Sequence, residues 1–410
     1  MAVGKETFGT LHPVKGFRLG TTQAGVKKAD RRDLVVMEAA AGSSIAGVFT
    51  LNAFCAAPVH ICKQHLQQIE GFCEQTTYLI TNTGYANAGT GERGMQNALA
   101  VCDALAEKAG VARSQIFPFS TGVIGETLPV DRIVKGIPAC LGALSENGWH
   151  DAAHGIMTTD TRPKGVSVQL HLEGKTVTIT GISKGAGMIK PNMATMLGYV
   201  ATDAAIAPAL LQRLAKEAAD ESFNAITIDG DTSTNDSCML IATGQSGVAI
   251  KLEKPDNYDT FRAALVDVFV QLAHAIVRDG EGATKFVTIA VEQAESVEEA
   301  REVAYTVAHS PLVKTALFAS DPNWGRIVAA VGRADVEQLD VSKVYVYLND
   351  VLIAEKGALA ESYTEAAGAA EMAKEEITIR IELGRGQKKT KVYTIDFSYD
   401  YVKINADYRS

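Results

Sequence analysis

Apolar and polar positions alternate along this chain in two rhythms, and both run through its whole length. Val166, Val168, Leu170 and Leu172 take turns with polar residues, and Glu173-Gly174 then leads into a second such run, Lys175–Ile182. Successive side chains of a strand point to opposite faces, so two alternating runs joined by a glycine-containing pair predict a hairpin. Val344–Leu348 and Val351–Ile353 repeat the pattern around Asn349-Asp350, and Ile377–Leu383 and Val392–Phe397 predict two more strands. The second rhythm is helical. Phe261, Leu265, Val268, Phe269, Leu272 and Ile276 recur at steps of three or four, which gathers them on one face. Ser296 and Glu299 form a capping box ahead of Val297, Ala300, Val303, Ala304 and Val307. Met95–Lys108 and Pro208–Glu221 read as further amphipathic helices. Hairpin-rich strands with separate helices predict an α+β fold of layered sheets flanked by helices, not a doubly wound parallel sheet.

Composition narrows the setting. The chain has 410 residues, 47% of them hydrophobic and 21% charged, enough to bury a large core and too apolar for disorder. Its formal net charge of −9 argues against nucleic acid or an anionic membrane as partner, since both call for a basic face. The one dense basic cluster near the N-terminus, Lys27, Lys28, Arg31 and Arg32, is interleaved with Asp30 and Asp33 and reads as a solvated surface segment. Cysteines at 55, 62, 73, 102, 140 and 238 form no CxxC pair, so neither a metal site nor a redox motif is indicated. The start MAVGKETFG lacks the apolar core of a secretory signal, and no apolar run approaches membrane-spanning length. A cytoplasmic location with reduced thiols is expected.

Four stretches invite a chemical reading. Gly181-Ile182-Ser183-Lys184-Gly185 matches the G-x-S-x-G nucleophile elbow, which would make Ser183 a hydrolase nucleophile. An elbow needs a helix directly after the serine, however, and Gly187 and Pro191 interrupt that segment. His274 and His309 are the available downstream histidines, and both read as structural. Gly185-Ala186-Gly187 lacks the third glycine of a dinucleotide loop, and Gly280–Lys285 is too short for a phosphate loop. Asp229–Asp236 fails as a calcium loop, having Thr234 at its sixth position and Leu240 at its twelfth, and reads as a self-bonded turn, with a place at the border of an active site left open. The fourth stretch is Lys184 to Gly198. Thr195 follows the small Ala194 in a glycine-dense segment, which suits an acyl shift in which Thr195 Oγ attacks the Ala194 carbonyl and water hydrolyses the ester. The freed α-amine, with a reference pKa of about 7.7–8.0, could then deprotonate the hydroxyl beside it. On residue chemistry alone this is one reading among several, because a loop threonine is usually only a loop residue.

The run Met193-Ala194-Thr195-Met196-Leu197 resembles the processing site of the ornithine acetyltransferase family, also called the glutamate N-acetyltransferase or ArgJ family. Other stretches agree in order: Gly47–Thr50 with Ala57-Pro58-Val59, Asn82-Thr83-Gly84, Ser120–Gly125, Asp229–Asp236, Gly280–Lys285, Asp321–Arg326 and Ile404–Tyr408. The resemblance implies an ArgJ/DmpA-like layered sandwich, superficially similar to N-terminal nucleophile hydrolases. It implies self-cleavage at Ala194-Thr195 into chains 1–194 and 195–410, intertwined in one globular unit and pairing as α2β2. Thr195 would be the nucleophile, and Thr121 and Gly122 the oxyanion hole. Substrate contacts would come from Thr158, Lys184, Thr195, Glu281, Asn405 and the C-terminal residue, where the family commonly has Thr and this chain has Ser410. The implied reaction is ping-pong acetyl transfer from N2-acetylornithine to glutamate, without metal or cofactor, and some members also use acetyl-CoA. We expect Lys184 to suit a substrate carboxylate and Glu281 an ammonium. Taken alone, Thr121-Gly122 reads as a turn, and Lys184 and Glu281 as solvated surface charges. Two alternatives keep the same residues but differ in outcome: an N-terminal-threonine amidase or aminopeptidase with water as acceptor, and a Ser183 hydrolase.

Overall fold

The computed structural model describes residues 2–4, 8–190 and 196–407. Ala194, Thr195 and Ser410 therefore lie outside the described residues. The chain folds as two units, Thr7–Asn224 with Asp231–Ile276, and Met1–Glu6 with Ala225–Gly230 and Val277–Ser410.

In the larger unit the order is β1 (Phe17–Thr22), β2 (Leu34–Ala39), β3 (Ser44–Phe49), α1 (Ala57–Gln68), β4 (Thr77–Tyr85), α2 (Gly91–Ala109), β5 (Ile116–Val123), α3 (Val130–Gly142) and α4 (Trp149–Gly155). It continues with β6 (Lys164–Leu172), β7 (Lys175–Lys184), β8 (Leu197–Thr202), β9 (Ala205–Ile206), α5 (Pro208–Glu221), β10 (Ser237–Ala242), β11 (Ala249–Ile250) and α6 (Pro255–Arg278). Two sheets carry the unit, ordered β1-β2-β4-β5 and β3-β10-β8-β7-β6. Alternation along the strands explains the layering. Val35 and Met37 of β2 share a core with Ile182, Tyr199 and Met239 of the other sheet, so the two sheets pack face to face. Leu34 and Val36, one position out of phase, face a second core that holds Val101 and Leu105 of α2 and Ile133 and Ile137 of α3. On the far side of the second sheet a Cβ at Gly181 would stand 3.0 Å from Leu272 of α6, which fixes that helix against β7.

The β6–β7 hairpin forms in the expected register, with Glu173 and Gly174 at φ 52° and 73° in its turn. Helix α6 extends further than its periodicity indicated. It is 24 residues long and apolar enough to cross a membrane by length and composition, contrary to the expectation that no run reaches that size. Burial supplies the reason: Phe261, Leu265, Val268, Phe269, Leu272 and Ile276 are all fully buried, while Asp259, Arg262 and Asp267 interrupt the run on its other faces. It is a core helix.

In the smaller unit the order is β12 (Phe286–Ala294), α7 (Val297–Ala308), α8 (Pro311–Phe318), α9 (Trp324–Gly332), β13 (Tyr345–Leu348), β14 (Val351–Glu355), β15 (Ala358–Leu359), α10 (Glu365–Met372), β16 (Glu376–Glu382), β17 (Lys388–Ile395) and α11 (Tyr399–Ala406). Its strands make one mixed sheet, β15-β14-β13-β16-β12-β17, in which β12 runs parallel to β16. Val303 and Val307 of α7 pack on Ile289 and Val291 of β12 in a single core. Only half of the expected capping box forms. Ser296 Oγ accepts from Glu299 N–H at 3.0 Å, but Glu299 accepts from the N–H of Glu295 and pairs with Arg385. The whole chain is α+β, as the pattern of strands and helices predicts.

Candidate functional site

The end of β5 owes its shape to glycine. Strands β4 and β5 run parallel until Gly84 and Gly122, where Tyr85 faces both Thr121 and Val123 and the register breaks. Gly122 has φ 133°, and a Cβ there would lie 2.3 Å from the carbonyl carbon of Gly84. Only glycine permits this approach of two backbones. The reading of Thr121-Gly122 as a turn is thus corrected to a bulged strand end, a device that re-aims side chains beside it. Thr121 is 6% exposed.

Its hydroxyl meets Lys184. The last residue of β7 is opposite Leu197, the first of β8, and its Nζ donates to Thr121 Oγ1 at 2.9 Å. Lys184 is 4% exposed, so the surface-charge reading fails. A buried ammonium requires counter-charge. Asp160 supplies it: this carboxylate accepts from Lys164 Nζ at 2.6 Å, from Gly185 N–H at 2.7 Å and from Thr158 N–H at 2.9 Å. Burial alone would raise the Asp160 carboxyl, but Lys164 and Lys184 outweigh burial and hold it below its ordinary range. The same carboxylate therefore places Thr158 and the backbone after Lys184. Arg31 donates to the carbonyl of Thr158, and Asp33 is buried, accepting from Ala24 and Val26 N–H at 2.7 and 2.5 Å. Those two residues leave the solvated segment to which the sequence assigned them, because the charges are needed to hold loops.

The depressed acidity of Asp160 has a direction that can be measured. A carboxyl whose folded pKa lies below its unfolded value stabilises the fold above the ordinary carboxylate range, and that contribution drains as pH falls through the folded value. Asp160→Asn should lower the melting temperature at neutral pH and flatten the loss of stability on acidification. Thermal melts of both proteins between neutral and acid pH check this, and parallel curves would remove Asp160 from the account.

Ser183 does not sit on an elbow. It lies inside β7, fully buried, with Oγ donating to the Leu272 carbonyl at 3.5 Å. His309 caps α7 and its Nε2 pairs with Thr227 Oγ1 at 2.9 Å, a structural role as expected.

The acidic loop reads correctly as a self-bonded turn but does more than close on itself. Asn235 Nδ2 donates to the Ala86 and Ser120 carbonyls at 2.6 and 2.9 Å, and Asp236 Oδ1 accepts from Met196 N–H at 3.0 Å.

Two other predicted residues meet in the smaller unit. Glu281 is 6% exposed, and its Oε2 accepts from Asn405 Nδ2 of α11 at 2.9 Å. The loop that presents Glu281 is pinned directly after it. Asp396 accepts from the N–H groups of Thr284 and Lys285 at 2.8 Å each, and Ser398 Oγ donates to the Gly282 carbonyl at 2.6 Å. A Cβ on Gly282, at φ 70°, would meet Tyr401 N at 2.4 Å, so glycine lets α11 close over the loop. Sequence reasoning missed Asp160 and Lys164, and gave Asn235 and Asp236 no individual role within the Asp229–Asp236 run. Only the i, i+4 spacing of Asp160 and Lys164 hinted at a pair.

The sequence profile of the ArgJ family matches residues 18–410. The arginine biosynthesis bifunctional protein ArgJ of Pseudomonas fluorescens (strain Pf0-1) is 58% identical over 411 residues, spanning 100% of both chains. Among solved structures, the protein of the same name from Bacillus halodurans is 35% identical over 51% of this chain and 97% of its own, with a TM-score of 0.49. Ornithine acetyltransferase of Mycobacterium tuberculosis, solved with ornithine, is 34% identical over 44% of this chain and 92% of its own, with a TM-score of 0.37. On the end-to-end identity and the near-complete profile match, the chain belongs to the ArgJ family.

Proposed function

We propose that this chain cleaves itself between Ala194 and Thr195, and that the freed threonine then carries acetyl from N2-acetylornithine to glutamate by a ping-pong route. Acetyl transfer in arginine biosynthesis comes with the family; the passage through Thr195 is what we propose. In maturation Thr195 Oγ attacks the Ala194 carbonyl, the amide nitrogen leaves with a proton, and water splits the ester into an Ala194 carboxylate and an N-terminal Thr195. In turnover the same oxygen takes acetyl while ornithine leaves as the amine. The glutamate amine then attacks the acetyl ester and restores the hydroxyl.

The observation that carries this reading is the Lys184–Thr121 hydrogen bond at the glycine-only bulge. An ammonium can only donate, so Thr121 Oγ1 accepts from it and keeps its own proton for another acceptor. That acceptor is the oxyanion, which Thr121 shares with the Gly122 N–H. Both donors are fixed beforehand, on a strand end and in buried surroundings, where such stabilisation is largest. Lys184 thus adds positive charge to the oxyanion site as well as facing the substrate carboxylate. Strand pairing also supports two chains that stay together: β7 and β3, before the cleavage point, hydrogen-bond along their lengths with β8 and β10, after it. We extend to this chain the α2β2 assembly, a cytoplasmic setting in which its six free thiols stay reduced, and acetyl-CoA as a second donor loading the same threonine.

Incubation with N2-acetylornithine and glutamate, following N-acetylglutamate against free acetate, tests the transfer. Acetate without N-acetylglutamate would make the chain an amidase using the same threonine.

A smaller effect is expected at Glu281. Hydrogen bonds to charged groups contribute about 1.5–3 kcal/mol, and Glu281→Gln keeps the contact with Asn405 while removing the charge that an ammonium needs. It should lower kcat/KM for acetylornithine and for glutamate alike, by roughly 10–100-fold, and leave cleavage intact. Steady-state kinetics with each substrate varied in turn decide it, and wild-type constants for both would take Glu281 out of the substrate site.

A further inference from the structure

One dipeptide grips the backbone on both sides of the proposed chemistry. Asn235, 7% exposed, holds the Ser120 carbonyl, directly before Thr121. Its neighbour Asp236 is fully buried and holds the N–H of Met196, the residue directly after the proposed nucleophile. Ser237 N–H donates to the Met196 carbonyl at 3.2 Å, so Met196 is held at both of its peptide groups. The dipeptide is itself tethered: Thr50 N–H donates to the Asp236 carbonyl at 3.0 Å, and Thr50 Oγ1 to the Ser233 carbonyl at 2.7 Å. These bonds are all among buried groups, where each is well defined and costly to lose.

From this we propose that Asp236 is a positioning residue of the site: its carboxyl fixes the chain that follows the nucleophile at a set distance from the oxyanion donors, which the adjacent Asn235 fixes in turn. The inference rests on the self-cleavage reading and adds the group that sets its geometry. A carboxyl is more than a turn requires. Asp236 Oδ2 makes no hydrogen bond of normal geometry among the described residues, and the Ser233 hydroxyl bears on the carboxyl only weakly, although the group is fully buried. A buried carboxyl is retained at a cost, and sites that need exact geometry are where such costs persist. Burial, only partly opposed by the Met196 N–H, by Lys184 and by the Ser233 hydroxyl, pushes this carboxyl well up, towards the neutral acid. An asparagine carboxamide copies the shape and the acceptor oxygen of that form.

The experiment compares wild type, Asp236→Ala and Asp236→Asn. Conversion of one chain into two is followed by mass spectrometry. On the matured fraction, kcat and KM for acetyl transfer are measured beside the melting temperature. A misplacement of about 1 Å can cost about 100-fold in rate. Asp236→Ala should therefore mature slowly and lose about 100-fold in kcat once matured, with KM little changed, and Asp236→Asn should recover most of both losses. Matured Asp236→Ala with wild-type kcat overturns the proposal whatever its melting temperature, because packing alone then explains the residue. Asp236→Asn as slow as Asp236→Ala overturns it too, since the bond to Met196 would not be what matters. If Asp236→Ala does not fold, Asp236→Glu, which moves the carboxyl by one methylene, must lose kcat, and a wild-type kcat there is equally fatal. A wild type that stays one chain and is active removes the self-cleavage reading, and this inference with it.

Discussion

Thr195→Ala is expected to be isolated as a single uncleaved chain with no acetyl transfer. The substitution deletes one hydroxyl, and that hydroxyl is the proposed attacking group in both reactions. The strand pairing should not change. The strands on either side of the cleavage point are held by main-chain bonds, Ile179–Lys184 with Leu197–Thr202 and Leu197–Thr202 with Ser237–Ala242. The mutant should therefore melt near the temperature of a wild-type precursor, and its inactivity would be chemical. Thr195→Ser offers the complementary test. It keeps the oxygen but loses the methyl that restricts χ1, so it should cleave and turn over, more slowly. Mass spectrometry gives the chain composition, and production of N-acetylglutamate gives the activity. A single chain with wild-type activity would sink the mechanism. Ser183 would be no substitute, since it is buried within β7 with its hydroxyl turned to the Leu272 carbonyl.

How much of this was legible beforehand depended on whether the information was local. The β6–β7 hairpin was readable because alternation and a Glu-Gly turn are both contained in twenty residues, and helix Pro208–Glu221 matched its predicted bounds for the same reason. The length of α6 was not readable, because apolar residues on all but a narrow face look alike whether a helix lies in a core or in a membrane; burial decides, and burial is a tertiary property. The capping box half failed for a comparable reason. Glu299 had a stronger partner in Arg385, which is distant in sequence.

The site divides in the same way. Motif resemblance singled out Thr121, Gly122, Lys184 and Glu281 as candidates, but it assigned them partners only in the substrate. Their partners within the protein, Thr121 and the Asp160 charge for Lys184 and Asn405 for Glu281, are set by the fold. Asp236 was the hardest to see. A run of Asx and hydroxyl residues announces a turn, and the turn is there. That its last carboxyl would reach Met196, 40 positions away, follows only from the parallel pairing of β8 with β10, which brings Leu197 opposite Ser237.

Thr121→Ala should cost about 100–1,000-fold in kcat, or about 2.7–4 kcal/mol, the loss that follows removal of one oxyanion donor from a preorganised site. The geometry shapes the expectation further. With the hydroxyl gone, Lys184 Nζ loses the acceptor it holds at 2.9 Å. The Gly122 N–H remains, so activity should fall without vanishing. An oxyanion exists only in the transition state and the intermediate, so kcat and kcat/KM should fall together while KM stays near its wild-type value. The proposed cleavage at Ala194-Thr195 would pass through an oxyanion as well, and slow maturation is expected if the same donors serve it. That requires kinetics on the matured fraction alone. Thr121→Ser should regain most of the rate by returning the hydroxyl to the same place. Thr121→Val fills the same volume without donor or acceptor and should be as slow as Thr121→Ala, which separates hydrogen bonding from packing. A fully matured Thr121→Ala with unchanged kcat would remove this hydroxyl from the mechanism and leave the Lys184–Thr121 bond as a structural contact between two strands.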